Sequence, residues 1–168
     1  MNFEINSRSL ERALSLKSDA LLVLWHPDTP FGDDVVSRLV ARAMKQGDFE
    51  LKTGALISSY APEGLSARHL TVVFCAGGKS GAWRSAIQAG WQSFKGQVKH
   101  LGVYFTQEPS AADLEAVVQA LADGTYAYTL QLSQAKARQL VKVSLGAPAC
   151  GAAHQQALHR DRKSTRLN

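Results

Sequence analysis

The chain has 168 residues, 45% of them hydrophobic, enough for one substantial core and the size of an ordinary single domain. It holds no run of about eighteen uncharged apolar residues, and the opening MNFEINSRSLER sets Glu4, Arg8, Glu11 and Arg12 where an export signal needs its apolar stretch. Composition therefore excludes a membrane-spanning helix and predicts a soluble, cytoplasmic chain; two cysteines, Cys75 and Cys150, suit a reducing compartment and make neither a disulfide framework nor a metal quartet.

The formal charge of +5 hints at an acidic partner, but part of it sits in the last eight residues, DRKSTRLN, without which 16 basic and 13 acidic residues remain. That stretch has no apolar period and reads as a non-native, adapter-like tail over 161–168, so the natural protein is expected to continue differently beyond about residue 160.

In chain order, MNFEI and ALLVLW (20–25) read as strands, short and rich in residues that suit a buried sheet. SLERALSLKSD between them is polar enough for a loop or a single helical turn. After the turn cluster PDTPFGDD, the residues Val35, Val36, Leu39, Val40, Ala43 and Met44 recur at helical spacing, with Asp33 or Asp34 to cap the helix and Gly47 to end it. ALISSY and HLTVVFC flank APEGLSAR, whose Pro62 and Gly64 supply the turn chemistry for a pair of adjacent strands.

The next helix places Trp83, Ala86, Ile87, Gly90, Trp91 and Phe94 on one face, and KHLGVYF follows as another buried strand. Ser110 and Asp113 form a capping box ahead of Leu114, Val117, Val118 and Leu121, with Gly124 where a carboxyl cap belongs. TYAYTLQL alternates like a strand, although Tyr126 and Tyr128 equally extend the preceding helix. LVKVSL (140–145) is the last strand, Gly146, Pro148 and Gly151 mark a linker, and AAHQQALHR opens a further helix. Strands and helices thus take turns, which predicts a single layered α/β domain over 1–146 with a central mixed, mostly parallel sheet flanked by helices, then a linker and helix start over 147–160.

The stretch VVFCAGGKSGAW runs a strand through a glycine turn into a helix, the usual setting for a phosphate cradle. Gly78, Lys79 and Ser80 match the end of a P-loop, but Val73 stands where its first glycine must be, and Gly77, Gly78 and Gly81 lack the dinucleotide spacing. Gly77, Gly78, Lys79 and Ser80 remain weak candidates for an anion held at the helix start, beside the plainer reading of a tight strand-to-helix connection.

Ser80 also approaches a nucleophile elbow, with Asp113 or Asp123 and then His154 or His159 in hydrolase order, yet Ala82 replaces the second glycine. There is no H-E-x-x-H and no carboxylate cluster; Asp33 and Asp34 read as helix caps, and His26, His69 and His100 as ordinary histidines at strand ends. Arg38, Arg42 and Lys45 share one side of the first long helix, as a nucleic-acid surface would require and as the wet side of any amphipathic helix does. Trp83 and Trp91 share a face with Ile87 and Phe94, which points to core packing and not base stacking.

The order of SRSLERALSLKSDALLVLW, VSRLVARAMKQGDFELKTG, APEGLSARHLTVVFCAGGKS and KARQLVKVSL resembles the amino-terminal domain of the leucyl (cytosol) aminopeptidase family, from Met1 to about His159. The resemblance implies a two-domain cytosolic exopeptidase as parent. Its amino-terminal domain would have a macrodomain-like fold and contribute to a hexamer, and in some members to DNA binding. Its carboxyl-terminal catalytic domain would carry two divalent metals, zinc or manganese, on a lysine and several carboxylates, together with the motif NTDAEGR. That motif is absent here, so the resemblance carries over no catalytic and no metal-ligating residue, and the chain is expected to be inactive alone, truncated before its catalytic partner domain. WHPDTP and FCAGG depart from the family pattern, which weakens any anion-site inference. The alternative expectation is a stand-alone macrodomain-like module for a nucleotide or ADP-ribose.

Overall fold

The computed structural model describes residues 1–48, 52–76, 80–94, 98–131, 140–151 and 154–156, with backbone alone for residue 80 and residues 126–131. In chain order the elements are β1 (Asn2–Ser7), α1 (Leu10–Leu14), β2 (Ala20–Trp25), α2 (Val35–Gln46), β3 (Leu56–Tyr60), β4 (His69–Phe74), α3 (Ser80–Ser93), β5 (His100–Phe105), α4 (Ala111–Gln131) and β6 (Lys142–Ala147). The strands form one sheet in the order β1-β6-β5-β2-β4-β3, parallel throughout except where β3 runs antiparallel to β4.

The central strand β2 is apolar at every position because both of its faces are covered. Ala20, Leu22 and Leu24 face the layer made by α3 and α4, where Trp83, Ile87, Trp91, Phe94, Leu114 and Leu121 complete the larger core. Leu21, Val23 and Trp25 face α1 and α2, against Leu14, Val36 and Val40. Full burial of each such leucine contributes about 1.5–3 kcal/mol, so two cores on one sheet hold the domain without disulfides; neither cysteine is disulfide-bonded.

Local signals set the helix ends. Asp34 takes the amino-terminal cap of α2, its Oδ1 accepting from the Ser37 N–H at 2.9 Å, and Gly47 closes the helix at φ 75°. The capping box of α4 forms as expected, with the Ser110 N–H donating to Asp113 Oδ2 and the Asp113 N–H to Ser110 Oγ. The polar segment after β1 is a single helical turn, α1, capped by Ser9.

Two expectations are corrected. Gly124 does not end α4: the helix runs on to Gln131, so the 125–131 stretch is helical and not a strand. The glycine is there for space, because a Cβ at position 124 would meet Trp91 Cδ1 at 3.0 Å where α4 crosses α3. Gly146 lies inside β6, paired with Asn6 and Tyr104, and not in a linker. The expected helix over 152–160 is described only at His154–Gln156, and the 161–168 tail falls outside the described residues.

Candidate functional site

In an open parallel sheet, ligands collect beyond the carboxyl ends of the strands where the chain reverses its direction of winding. Here that point lies between β2 and β5, since the chain moves outward from β2 to β4 and returns to β5 on the other side. A cleft of about 800 Å³ opens there, bordered by Ser9, Thr29, Asp34, Ser37, Tyr104 and Thr106 among others. The Thr106 hydroxyl holds its floor together, accepting from the His26 N–H at 2.9 Å and lying 2.5 Å from the Thr29 hydroxyl.

At the start of α2 the polar groups of this cleft are already engaged with one another. Asp34 Oδ2 accepts from Ser37 Oγ at 2.5 Å, and Ser37 Oγ accepts in turn from the Gly32 N–H at 3.1 Å. The positive end of α2 therefore faces an internal carboxylate, which takes the place a bound anion would hold. Among the described residues the border carries Glu11, Asp33 and Asp34 against Arg38 alone, and Arg38 pairs with Asp33 at 3.1 Å. Burial, and after it the charge of Asp34, pushes the Tyr104 phenol above its usual range, so it stays a neutral hydroxyl.

A second polar cluster lies at the amino ends of the strands. Ser144, on β6, donates to Glu4 Oε1 on β1 at 2.6 Å, and His100 Nε2 on β5 lies 2.9 Å from the same hydroxyl. Lys142 Nζ reaches Glu4 at 3.0 Å. A serine beside a histidine satisfies the first geometric demand on a nucleophile and its base. Two facts defeat that reading: the serine is only 2% exposed, and its single hydrogen goes to the carboxylate and not to the imidazole.

The cluster is electrostatically closed. The Ser144 hydrogen bond, with Lys142 beside it, holds the Glu4 carboxyl below its usual range against the opposing effect of burial. Burial, reinforced by Lys142, lowers His100 and keeps it neutral near pH 7. Asp19 resists its own burial by accepting from the N–H groups of His100 and Lys99, each at 2.9 Å, and its carboxyl also lies below the usual range. This network locks three strands together, and it escaped the sequence reading because pairing β1 with β6 across some 140 residues is a tertiary event. Ser144, a polar residue between the apolar Val143 and Leu145 of β6, is the signal that the sequence does carry.

The predicted site residues are scattered. Gly77, Gly78 and Lys79 lie outside the described residues, and of Ser80 only its place as the first residue of α3 is described. Asp113 is held by Ser110, Asp123 pairs with Arg84, and His154 is buried with Nε2 bonded to the Pro109 carbonyl at 2.7 Å and Nδ1 accepting from the Gly151 N–H at 2.9 Å. Each has a structural partner of its own, so no hydrolase triad is assembled from them, and His159 lies outside the described residues. His26 Nδ1 accepts from the Asp28 N–H at 3.2 Å, and His69 packs edge-on against Tyr60. Among the described residues, no three His, Cys, Asp or Glu side chains lie close enough to hold a metal ion, so the donors that two divalent cations require do not fit here. Arg38, Arg42 and Lys45 are exposed on α2, whereas Trp83 and Trp91 are buried. No helix among the described residues is long and apolar enough to cross a membrane.

Comparison with known proteins agrees with this fold. Residues 27–135 match the profile described as the cytosol aminopeptidase family, N-terminal domain. A probable cytosol aminopeptidase of Acidovorax sp. (strain JS42) is 40% identical over 93% of this chain and 32% of its own length. Another from Verminephrobacter eiseniae is 36% identical over 88% of this chain and 29% of its own. Among solved structures, a tomato leucine aminopeptidase mutant covers 96% of this chain with 35% of its own length, at a TM-score of 0.71 and 14% identity, a likeness of fold. The chain thus spans about a third of the length of the curated relatives it matches. It belongs to the cytosol aminopeptidase family and corresponds to that family's amino-terminal domain.

Proposed function

We propose that this chain is a non-catalytic domain whose parent releases amino-terminal residues from peptides, and that it serves the assembly or regulation of a cytoplasmic, hexameric enzyme. The observation that carries the reading is the coverage: the first relatives share about nine tenths of this chain, which is only about a third of their own length, while Asp34, Glu4, Ser144, His100 and His154 are engaged in a helix cap, a strand-locking network and a backbone contact. In the parent, two divalent cations, zinc or manganese, would activate water for attack on the peptide carbonyl. Their ligands belong to the remaining two thirds, and no step of that chemistry is assigned to a residue of this chain. The purified chain is expected to show no turnover of leucine p-nitroanilide with manganese, while the full-length parent turns it over. Metal-dependent turnover by this chain alone would overturn the reading.

A second reading, a macrodomain-like module for a nucleotide or ADP-ribose, draws support from the position of the cleft between β2 and β5. Its acidic border and internally capped helix oppose a diphosphate. Calorimetry with ADP-ribose decides between them: the first reading expects no heat of binding, and tight binding would establish the second.

A further inference from the structure

The two edges of the sheet are built differently. The outer strand β1 carries Glu4 turned toward Lys142 and Ser144, and a charge placed on an edge strand discourages another chain from pairing there. The opposite edge, β3, is LISSY: five residues with no charge, no proline and no glycine. Leu56 is 39% exposed and Tyr60 71%, the latter stacked edge-on against His69 at 4.9 Å.

The hydrogen-bond alternation identifies the backbone groups that β4 does not use. Ala61 donates to the Arg68 carbonyl and Phe74 to that of Ala55, so the odd-numbered residues of β3 turn their backbone groups toward β4. The N–H and C=O groups of Leu56, Ser58 and Tyr60 therefore point away from the sheet. The side chains of these same three residues lie on the α3 face, because Ser58 Oγ reaches Thr71 Oγ1 at 3.0 Å, and Thr71 reaches Ser93 of α3 at 2.8 Å. One and two turns before Ser93, this side of α3 presents Ala89 and Ser85, small and uncharged, so a helix of a neighbouring molecule meets neither bulk nor like charge.

We propose that two copies of this chain join through their β3 edges, antiparallel about Ser58, into one continuous sheet. A second copy fits because the strand is complementary to itself under a two-fold axis at Ser58: Leu56 falls opposite Tyr60 of the other copy at both ends, and serine meets serine between them. Both apolar side chains then leave water on one face, and about six backbone hydrogen bonds close across the axis. This deepens the assembly role proposed above, and it is read by mass alone, so its failure is distinct from any failure in a peptidase assay.

The test is sedimentation velocity on the 168-residue chain over a range of concentrations. The expected result is a reversible species of twice the monomer mass. Ser58→Pro removes an edge N–H that β4 does not use and should raise the dimer dissociation constant by on the order of thirtyfold or more, with circular dichroism confirming the fold. A double variant, Leu56→Lys with Tyr60→Lys, should be monomeric through repulsion across the axis. Mixed with the matching Leu56→Glu, Tyr60→Glu variant, it should form a mixed dimer. A monomeric wild type, or a dimer indifferent to all of these changes, would overturn the proposal, including in favour of an edge that pairs with a segment of another protein.

Discussion

Gly90 of α3 lies directly over Leu22 of β2, and a Cβ at position 90 would run into the Leu22 side chain and also meet Val73 Cγ2 at 3.1 Å. Leu22 and Val73 are wholly buried, so neither has room to move aside. Gly90→Ala sets a helix-propensity gain of up to about 1 kcal/mol against an overpacking cost of about 1–3 kcal/mol. The clash should win, with a net loss of roughly 1 kcal/mol in urea unfolding. An unchanged midpoint would show that α3 rides further from the sheet than described.

Asp34 performs two tasks at the start of α2, accepting from both the N–H and the hydroxyl of Ser37. Asp34→Ala should lower stability by about 1–2 kcal/mol, seen as a drop in the thermal midpoint, whereas Asp34→Ser should recover most of it. Asp33 is the control: its partner Arg38 is exposed, and Asp33→Ala should shift the midpoint little.

Acid should loosen the edge formed by β1 and β6. His100 is held below its ordinary value of 6.5, so it favours folding in the neutral form, and that contribution fades as pH falls past 6.5 toward its lower folded value. Glu4 and Asp19 are held below 4.5 and 3.8; their contributions are complete above those values and fade as pH falls through the folded ones. All three act in one direction, because the unfolded chain binds more protons than the folded one at each step. Thermal melts should therefore show a midpoint that drops below about pH 6.5 and drops further below about pH 4.5. Glu4→Gln should flatten the lower part of the curve, and an identical curve for that variant would remove Glu4 from the linkage.

Much of this molecule can be read before folding. The apolar run ALLVLW announces a strand covered on both faces, and the spacing of Trp83, Ile87, Trp91 and Phe94 announces the buried side of α3. Asp34, Gly47 and the Ser110–Asp113 box mark helix ends because capping satisfies backbone groups within three or four residues. The candidate site was less legible. His154 and Asp123 look chemically available in the sequence, but the partners that occupy them, Pro109 and Arg84, stand 45 and 39 positions away.

Sequence by itself determined the element types and the two-layered amphipathic pattern, since helix and strand periods, caps and turns depend on neighbours along the chain. It also carried the family, through the order of its segments. The fold alone decided that Gly124 makes room for Trp91 and ends nothing, that β1 locks onto β6 through Glu4 and Ser144, and that one edge of the sheet is guarded by charge while the other is not. These are relations between residues brought together only when distant strands pair and helices cross, where contact and burial, and no longer sequence spacing, set the energies.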